Sequence, residues 1–361
     1  MGNCAPKPKP KPRSRPAQHS SSLLKPDVPA VRLYGPESCP ISSCLRLALL
    51  YKSVPFQFVP QSPLLGLPFL QCGADTVVGA AETLLRELDS RFPRPPAAAT
   101  ALADTTSAAE EVALVTALQH RSVERHVEEL ARWVTATAAG GGGGKGEAAR
   151  MERSYGQLAE VVLEHAQMEE RLLFPAFESA ADRGTPSSPV HWDKIKGIIT
   201  GVCKVANEEH ARDLPIINGI KEDIKSMAVM EAGTPFHQEA LLNLSLRLKT
   251  LEEHFKGHFQ EEEKNLLPQL EMAMRSQREE EEDESSSRSW MEQVLVLMEA
   301  THSPRLFPFF MAGLLPEEAM QYVGLVRRQT ADQQRLASML RSLITVLEAK
   351  QSIVGHLRRP T

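Results

Sequence analysis

The chain twice places a histidine one helical turn ahead of a glutamate. His165 and Glu169 do so in HAQMEERLLFP, and His258 and Glu262 in HFQEEEKNLLP. A proline stands six residues after each glutamate, Pro175 and Pro268. The spacing H-x3-E puts both side chains on one face of a helix, so both can reach a shared centre. The leucines just beyond point to the same face, which is therefore the apolar one. Surface helices carry single pairs of this kind often. Two copies with matched leucine–proline ends ask for a common cause. Imidazole and carboxylate together suit iron or manganese better than calcium or copper.

Four long helical patterns must position these pairs. They run over about 108–137, 148–182, 191–230 and 235–277, separated by AAGGGGGKG, RGTPSSP and EAGTP. Thr234 is a good N-cap for the fourth, and Pro235 suits its first turn. Four helices with modest connections predict an antiparallel up-down-up-down bundle. At about 100° per residue, the inward stripe of the first helix is His120, Val123, Val127, Leu130 and Val134. That of the second is Tyr155, Leu158, Val162, His165, Glu169, Leu172 and Ala176. The third gives Ile199, Val202, Ala206, His210, Leu214 and Ile217. The fourth gives Leu244, Leu248, Leu251, Phe255, His258, Glu262 and Leu266. Burying four imidazoles and two carboxylates without compensation is very costly. A pair of metal ions compensates all six at once, with a bridging carboxylate as the usual device in bundles. Pro175 and Pro268 should end or bend their helices near the site. Glu261 and Glu263 should face solvent, as should His126.

The segments LQHRSVERHVEEL, HAQMEERLLFPAFE, NEEHARDL and HFQEEEKNLLP resemble the hemerythrin-like (HHE) cation-binding domain. The resemblance covers the four helices, about half of the chain. It implies a non-haem di-iron centre, with manganese or zinc as alternatives, held by His120, His165, Glu169, His210, His258 and Glu262. His254, one turn before His258, would be a seventh ligand or a residue supporting the ligands. Oxygen-carrying hemerythrins have a second histidine four residues from the one on the third helix; here those positions are Ala206 and Leu214. That implies a more open, labile site rather than a dedicated oxygen carrier.

Ahead of the bundle, residues 30–92 alternate in another way. VRLY and PFQFVP read as strands, CLRLALLYK as an amphipathic helix, FLQ-GAD-TVVG as a hairpin and AAETLLRELDSRF as a closing helix. This β-α-β-β-α order is that of a thioredoxin-like unit. The stretch LYGPESCPIS…LRLALLYKSVPFQFV resembles the amino-terminal domain of glutathione transferases and glutaredoxins. The resemblance makes Cys39 a candidate thiol at a helix amino terminus, and places Pro68 where that family has its cis-proline. Where the family holds glutathione with a polar pair, this chain has Ala80 and Ala81.

The fold expected is thus α+β and multidomain. Residues 1–29 form a basic tail, 30–92 a thioredoxin-like domain, 93–107 a Pro/Ala/Thr-rich linker and 108–277 the bundle. An acidic linker (278–288) and a helical extension (289–361) complete it. The extension reads as short helices broken by Pro304, Pro308 and Pro316, then a helix over about 325–357. Its FFMAGLLPEEAMQYV resembles the segment after the hemerythrin-like repeats of plant iron-sensing ubiquitin ligases. The chain lacks the cysteines their zinc and RING modules need.

The net charge of −5 is too mild to argue for nucleic acid. Five cysteines, at 4, 39, 44, 72 and 203, form no CxxC pair, and with no signal peptide they favour a reducing compartment. No apolar run is long enough to span a bilayer. The start, MGNCAPKPKPKPRSRP, offers Gly2 for myristoylation, Cys4 for palmitoylation and a basic patch, although Pro6 stands where the motif prefers Ser or Thr. Two such signals together would hold the protein on an inner membrane leaflet. The reading is an iron- or oxygen-sensing, metal-binding module at a membrane surface, with a protein partner docking on the C-terminal helices. Two alternatives stand beside it. One is a redox enzyme, using glutathione-linked thiol chemistry at Cys39 or di-iron oxidase or peroxidase chemistry. The other is a membrane-tethered scaffold.

Overall fold

A computed structural model describes residues 31–62, 66–96, 108–140, 145–175, 177–178, 189–266, 268, 306–330 and 332–357. Gly2, Cys4, the basic tail, the acidic run 279–284 and the segment containing Pro304 lie outside the described residues.

Strand β1 (Val31–Gly35) pairs in parallel with β2 (Phe56–Pro60) and antiparallel with β3 (Phe69–Cys72), which pairs antiparallel with β4 (Asp75–Val78). The sheet order is β2-β1-β3-β4. Alternation in β1 buries Val31 and Leu33 against helix α1 (Pro40–Tyr51), which buries Leu45, Leu47, Ala48 and Leu49 in return. The hairpin turn uses Gly73 at φ +62°, a left-handed conformation that costs a glycine little. Helix α2 (Ala81–Arg91) closes the unit. Two expectations need correction. Helix α1 starts at Pro40, not Cys44, because a proline in the first turn has no intrahelical bond to lose. Among the described residues the cis peptide bond is Arg94–Pro95, and Leu67–Pro68 is not cis. An X–Pro bond stays trans unless its surroundings overcome a preference of roughly 0.5–1 kcal/mol.

Four long helices come next: α3 (Ala108–Ala139), α4 (Lys145–Met168), α5 (Pro189–Ala228) and α6 (Pro235–Glu261). Helix α3 packs on α4 and α6, and α5 packs on the same two, so the four enclose a common interior. Thr234 caps α6, its Oγ1 accepting from the His237 N–H at 3.3 Å. Tyr155 ties α4 to α5 by donating to the Ile217 carbonyl at 2.8 Å.

The extension is α7 (Leu306–Gly313), α8 (Pro316–Gln329) and α9 (Gln333–Leu357). Pro308 does not break a helix; it lies in the first turn of α7, where its missing N–H is not needed. The expected helix from 325 is instead divided. Helix α8 runs to Gln329, and Asp332 then accepts from the N–H groups of Gln334 and Arg335 to start α9. These helices join the two halves of the molecule. Helix α9 lies on α1, while α7 and α8 lie on α3. Gly313 makes the closest approach: a Cβ there would come within 2.7 Å of the Ser122 carbonyl oxygen and 2.9 Å of His126. Arg125 and Glu318 form a paired ion contact beside it, and Gln119 donates to Tyr322 at 2.9 Å. One apolar core runs from Val31 to Ile344 through sheet, bundle and extension.

Candidate metal centre

Six residues from the four helices meet in the interior: His120 of α3, His165 at the end of α4, His210 of α5, His258 of α6, and Glu169 and Glu262 just beyond α4 and α6. All are buried, Glu169 to 1% exposure and Glu262 to 2%. They form two overlapping groups. One is Glu169, His210, His258 and Glu262; the other is His120, His165 and Glu169; within each, the donor atoms lie within 4.8 Å of one another. Glu169 belongs to both. It lies 3.1 Å from His165 Nε2, and 3.5 Å from each of His120 Nε2 and His210 Nε2. Glu262 lies 3.4 Å from His120 Nε2 and 3.4 Å from His258 Nε2.

The outer nitrogens of three histidines are held by carboxylates. His120 Nδ1 is 3.0 Å from Glu263, His210 Nδ1 is 3.0 Å from Glu170, and His258 Nδ1 is 2.7 Å from Glu209. In the neutral ring, donation from Nδ1–H to a carboxylate leaves Nε2 as a lone-pair donor aimed inward. The sequence pattern did not single out these three glutamates. Glu170 and Glu263 each directly follow an inward glutamate, so the paired EE in both repeats was the available signal. Glu263 is thus not simply solvent-facing, as expected; it is about one-third exposed and touches His120. Glu261 is exposed and bonds Asn265 on its own helix turn.

Beyond the glutamates the helices widen. Glu169–Leu173 and Glu262–Leu266 are π-helical turns, the first closed by the Phe174 N–H donating to the Glu169 carbonyl. Each precedes a proline, which cannot donate to the carbonyl four residues back. The helix answers this with one wider turn, the kind of irregularity that accompanies bends, and Phe174 and Pro175 are themselves helical. The extra residue shifts the inward stripe by one. Leu173 and Phe177 are buried, where the regular count pointed to Leu172 and Ala176. In α5 the count also slips: Asp213 is buried and Leu214 is 43% exposed.

His254 does not join the six. Its Nδ1 lies 3.0 Å from Asp213, and its side chain is 38% exposed. His126 is covered rather than solvated, because α7 lies over it: Nε2 meets the Phe309 carbonyl at 3.0 Å and the rings lie 3.9 Å apart. Cys39 sits at the N-cap of α1, half-buried, with no capping bond from its side chain.

The buried imidazoles and carboxylates shift one another's protonation strongly. Burial opposes protonation of His120, yet Glu169, Glu263 and Glu262 lift its pKa to about 10. His210 rises to about 9 against the same opposition, through Glu169, Glu262 and Glu170. Burial lowers His165, and lowers His258 to about 4. Burial works to raise Glu169, but His165, His120 and His210 hold it well below the usual carboxylate range. Burial and the neighbouring Glu169 charge push Glu262 well above it.

Even so, His120 Nε2, both His165 nitrogens and all four oxygens of Glu169 and Glu262 lack a well-formed hydrogen bond among the described residues. His258 Nε2 and His210 Nε2 face each other at 3.1 Å. Two imidazole nitrogens in contact need either a proton or a cation between them. Buried polar atoms are almost always satisfied, so orphans converging from His120, one nitrogen of His165, Glu169 and Glu262 fit metal ions. The donor set is nitrogen and oxygen; no cysteine among the described residues takes part, and burial raises the nearby Cys203 thiol to about 12. Such donors suit iron, manganese or zinc. Stacking of Phe259 on His120 at 4.1 Å and of Phe174 on His210 at 6.0 Å lines the centre with apolar surface. A cleft of about 80 Å³, lined by Val202, Ala206, Glu209 and Glu262, opens on it between α5 and α6.

Residues 115–270 match the family model described as the Hemerythrin HHE cation binding domain. That range contains all six central residues and the three outer glutamates. No curated protein and no solved structure matches the chain. The helical region is therefore hemerythrin-like, and its buried His/Glu cluster is compatible with metal binding.

Proposed function

We propose that residues 115–270 form an antiparallel hemerythrin-type bundle holding two metal ions, iron foremost. His120 and His165 would hold one ion, His210 and His258 the other, with Glu169 and Glu262 shared. The observation that carries this reading is the set of orphaned, convergent nitrogen and oxygen atoms. A pair of iron ions would supply redox chemistry and oxygen affinity. The protein's part is to fix six donors, orient three imidazoles through Glu170, Glu209 and Glu263, and exclude bulk water with phenylalanine rings.

The role we propose is sensing iron or oxygen, or iron homeostasis. A centre with so many uncompensated groups couples loading to folding stability. The reporter would be the C-terminal extension, since Phe310 of α7 packs edge-on against His165 at 6.3 Å. A partner would then dock on helices α7–α9. Stripping metal with a chelator at neutral pH should lower the melting temperature of the whole chain, and iron should restore it. A stripped protein with an unchanged melting transition would rule out this form of sensing.

A second reading concerns Cys39. A thioredoxin-like identity for the sheet unit is supported by its strand order and by the thiol's place at the N-cap of α1, ahead of Pro40. Retention on immobilised glutathione, lost in Cys39→Ser, would favour thiol chemistry there. Location at a membrane surface is proposed from Gly2, Cys4 and the basic tail alone. Incorporation of a myristate analogue, abolished by Gly2→Ala, is the test. No helix among the described residues is long and apolar enough to cross a membrane.

A further inference from the structure

The two halves of the candidate centre are not equivalent. Nδ1 of His120, His210 and His258 meets Glu263, Glu170 and Glu209 at 3.0, 3.0 and 2.7 Å. Nδ1 of His165 is closed to water and has no hydrogen-bond partner among the described residues. Its ring neighbours Phe259 and Phe310, at 6.2 and 6.3 Å, are apolar. The inward donors divide unequally as well. Glu169, His210, His258 and Glu262 form a group of four, while His120, His165 and Glu169 form a group of three.

This difference bears on metal affinity through the imidazole proton. A neutral imidazole that gives its Nε2 lone pair to a metal keeps its proton on Nδ1. In three of the histidines that N–H donates to a carboxylate, which also makes the ring a better ligand. In metal-free His165 the proton can instead sit on Nε2, which faces Glu169 at 3.1 Å. Coordination moves it to Nδ1, where it is buried without an acceptor. An unpaired buried donor is costly, and here the cost falls on the loaded state alone. Outer partners of this kind are worth about 10- to 100-fold in affinity.

We propose that the two positions load in sequence: His210 and His258 take the first ion, and His120 and His165 take the second, about 10- to 100-fold more weakly. This order rests on the two-ion reading of the same site. The weaker position is also the one beside the extension. Phe310 of α7 packs on His165, and its carbonyl accepts from Ser122, two residues along α3 from His120, at 2.9 Å. The second ion is therefore the one that α7 reports. Sensing operates over the metal concentrations at which the first position is already full.

Anaerobic titration of the metal-free full chain with cobalt(II), in competition with a chromophoric chelator, tests the order. The parent should take up two ions in two steps separated by at least about tenfold. His165→Ala should keep the tight step and lose the weak one. Glu209→Ala, which removes the outer partner of His258, should narrow the gap, whereas Glu263→Ala, which removes that of His120, should widen it. A general charge effect would move both steps alike. Hydrogen exchange on the parent needs no variant: protection of α7 should rise mainly with the second equivalent. Two ions bound with equal affinity, loss of the tight step in His165→Ala, an unchanged gap in Glu209→Ala, or full protection of α7 after one equivalent would each overturn the proposal and leave the two-ion reading standing. No uptake at all would overturn both.

Discussion

Three of the four central histidines turn one nitrogen inward and have the other held by a carboxylate, and the residue pattern revealed only the inward one. The H-x3-E spacing marks which side chains share a helix face, so the six inward residues could be read from the sequence. The partners of the outer nitrogens lie on other helices. Glu263 of the fourth helical pattern reaches His120 on α3, and Glu170 reaches His210 on α5. No periodicity within one helix carries that information. Outer carboxylates of this kind commonly tune affinity by about 10- to 100-fold. Glu263→Ala should lower metal affinity by about that factor, while Glu261→Ala, two residues away and exposed, should leave it unchanged; competition with a chromophoric chelator measures both. Equal losses in the two variants would point to a general charge effect instead.

The same residues set the pH dependence. In the metal-free protein His120 is pushed up to about 10 and His210 to about 9, so both carry protons at neutral pH. A raised histidine pKa stabilises the metal-free fold fully below its unfolded value, near 6.5, and that stability is lost as pH rises through the folded value. Metal requires the neutral imidazole. Loading at neutral pH should therefore release about two protons from these histidines, and affinity should climb until about pH 9–10. Calorimetry in buffers of differing ionisation enthalpy reads the release. A loading reaction with no proton exchange would contradict the assignment of His120 and His210.

At the scale of elements, helix positions came from apolar periodicity and breakers, but register did not survive the prolines. The stripe through Tyr155, Leu158, His165 and Glu169 is regular, and then one added residue brings Leu173 and Phe177 inward. A count of 100° per residue cannot foresee a π turn, because the turn answers a missing N–H at Pro175 together with the packing around it. Asp213 replaces Leu214 in the interior for a related reason: it meets His254 of the adjacent helix. Helix approach, by contrast, depends on one residue in the extension. Gly313 lets α7 lie directly on Ser122 and His126. Gly313→Ala should force α7 away and cost roughly 1–3 kcal/mol as overpacking does. Denaturant unfolding gives the magnitude. Hydrogen exchange should show α7 and α8 losing protection ahead of α5. A variant as stable and as protected as the parent would show that the contact is not needed.

For the molecule as a whole, the sequence divides the chain into modules, whereas the structure has one apolar core from Val31 to Ile344. Helix α9 contacts α1 of the sheet unit, and Arg46–Glu348 and Arg327–Glu82 tie the extension to that unit across the surface. Amphipathic periodicity shows that α8 and α9 have apolar faces but not which surfaces those faces meet, so this joining was not legible. It places a change at the bundle within reach of the sheet through a continuous set of packed side chains. All of this depends on what the six buried donors hold. Metal analysis of the purified full chain, alongside a variant with His165→Ala and His258→Ala, is the most direct test. The account predicts about two iron, manganese or zinc ions per chain in the parent and near-complete loss in the variant. A parent that is correctly folded, purified without chelator and metal-free even after incubation with ferrous iron would contradict it.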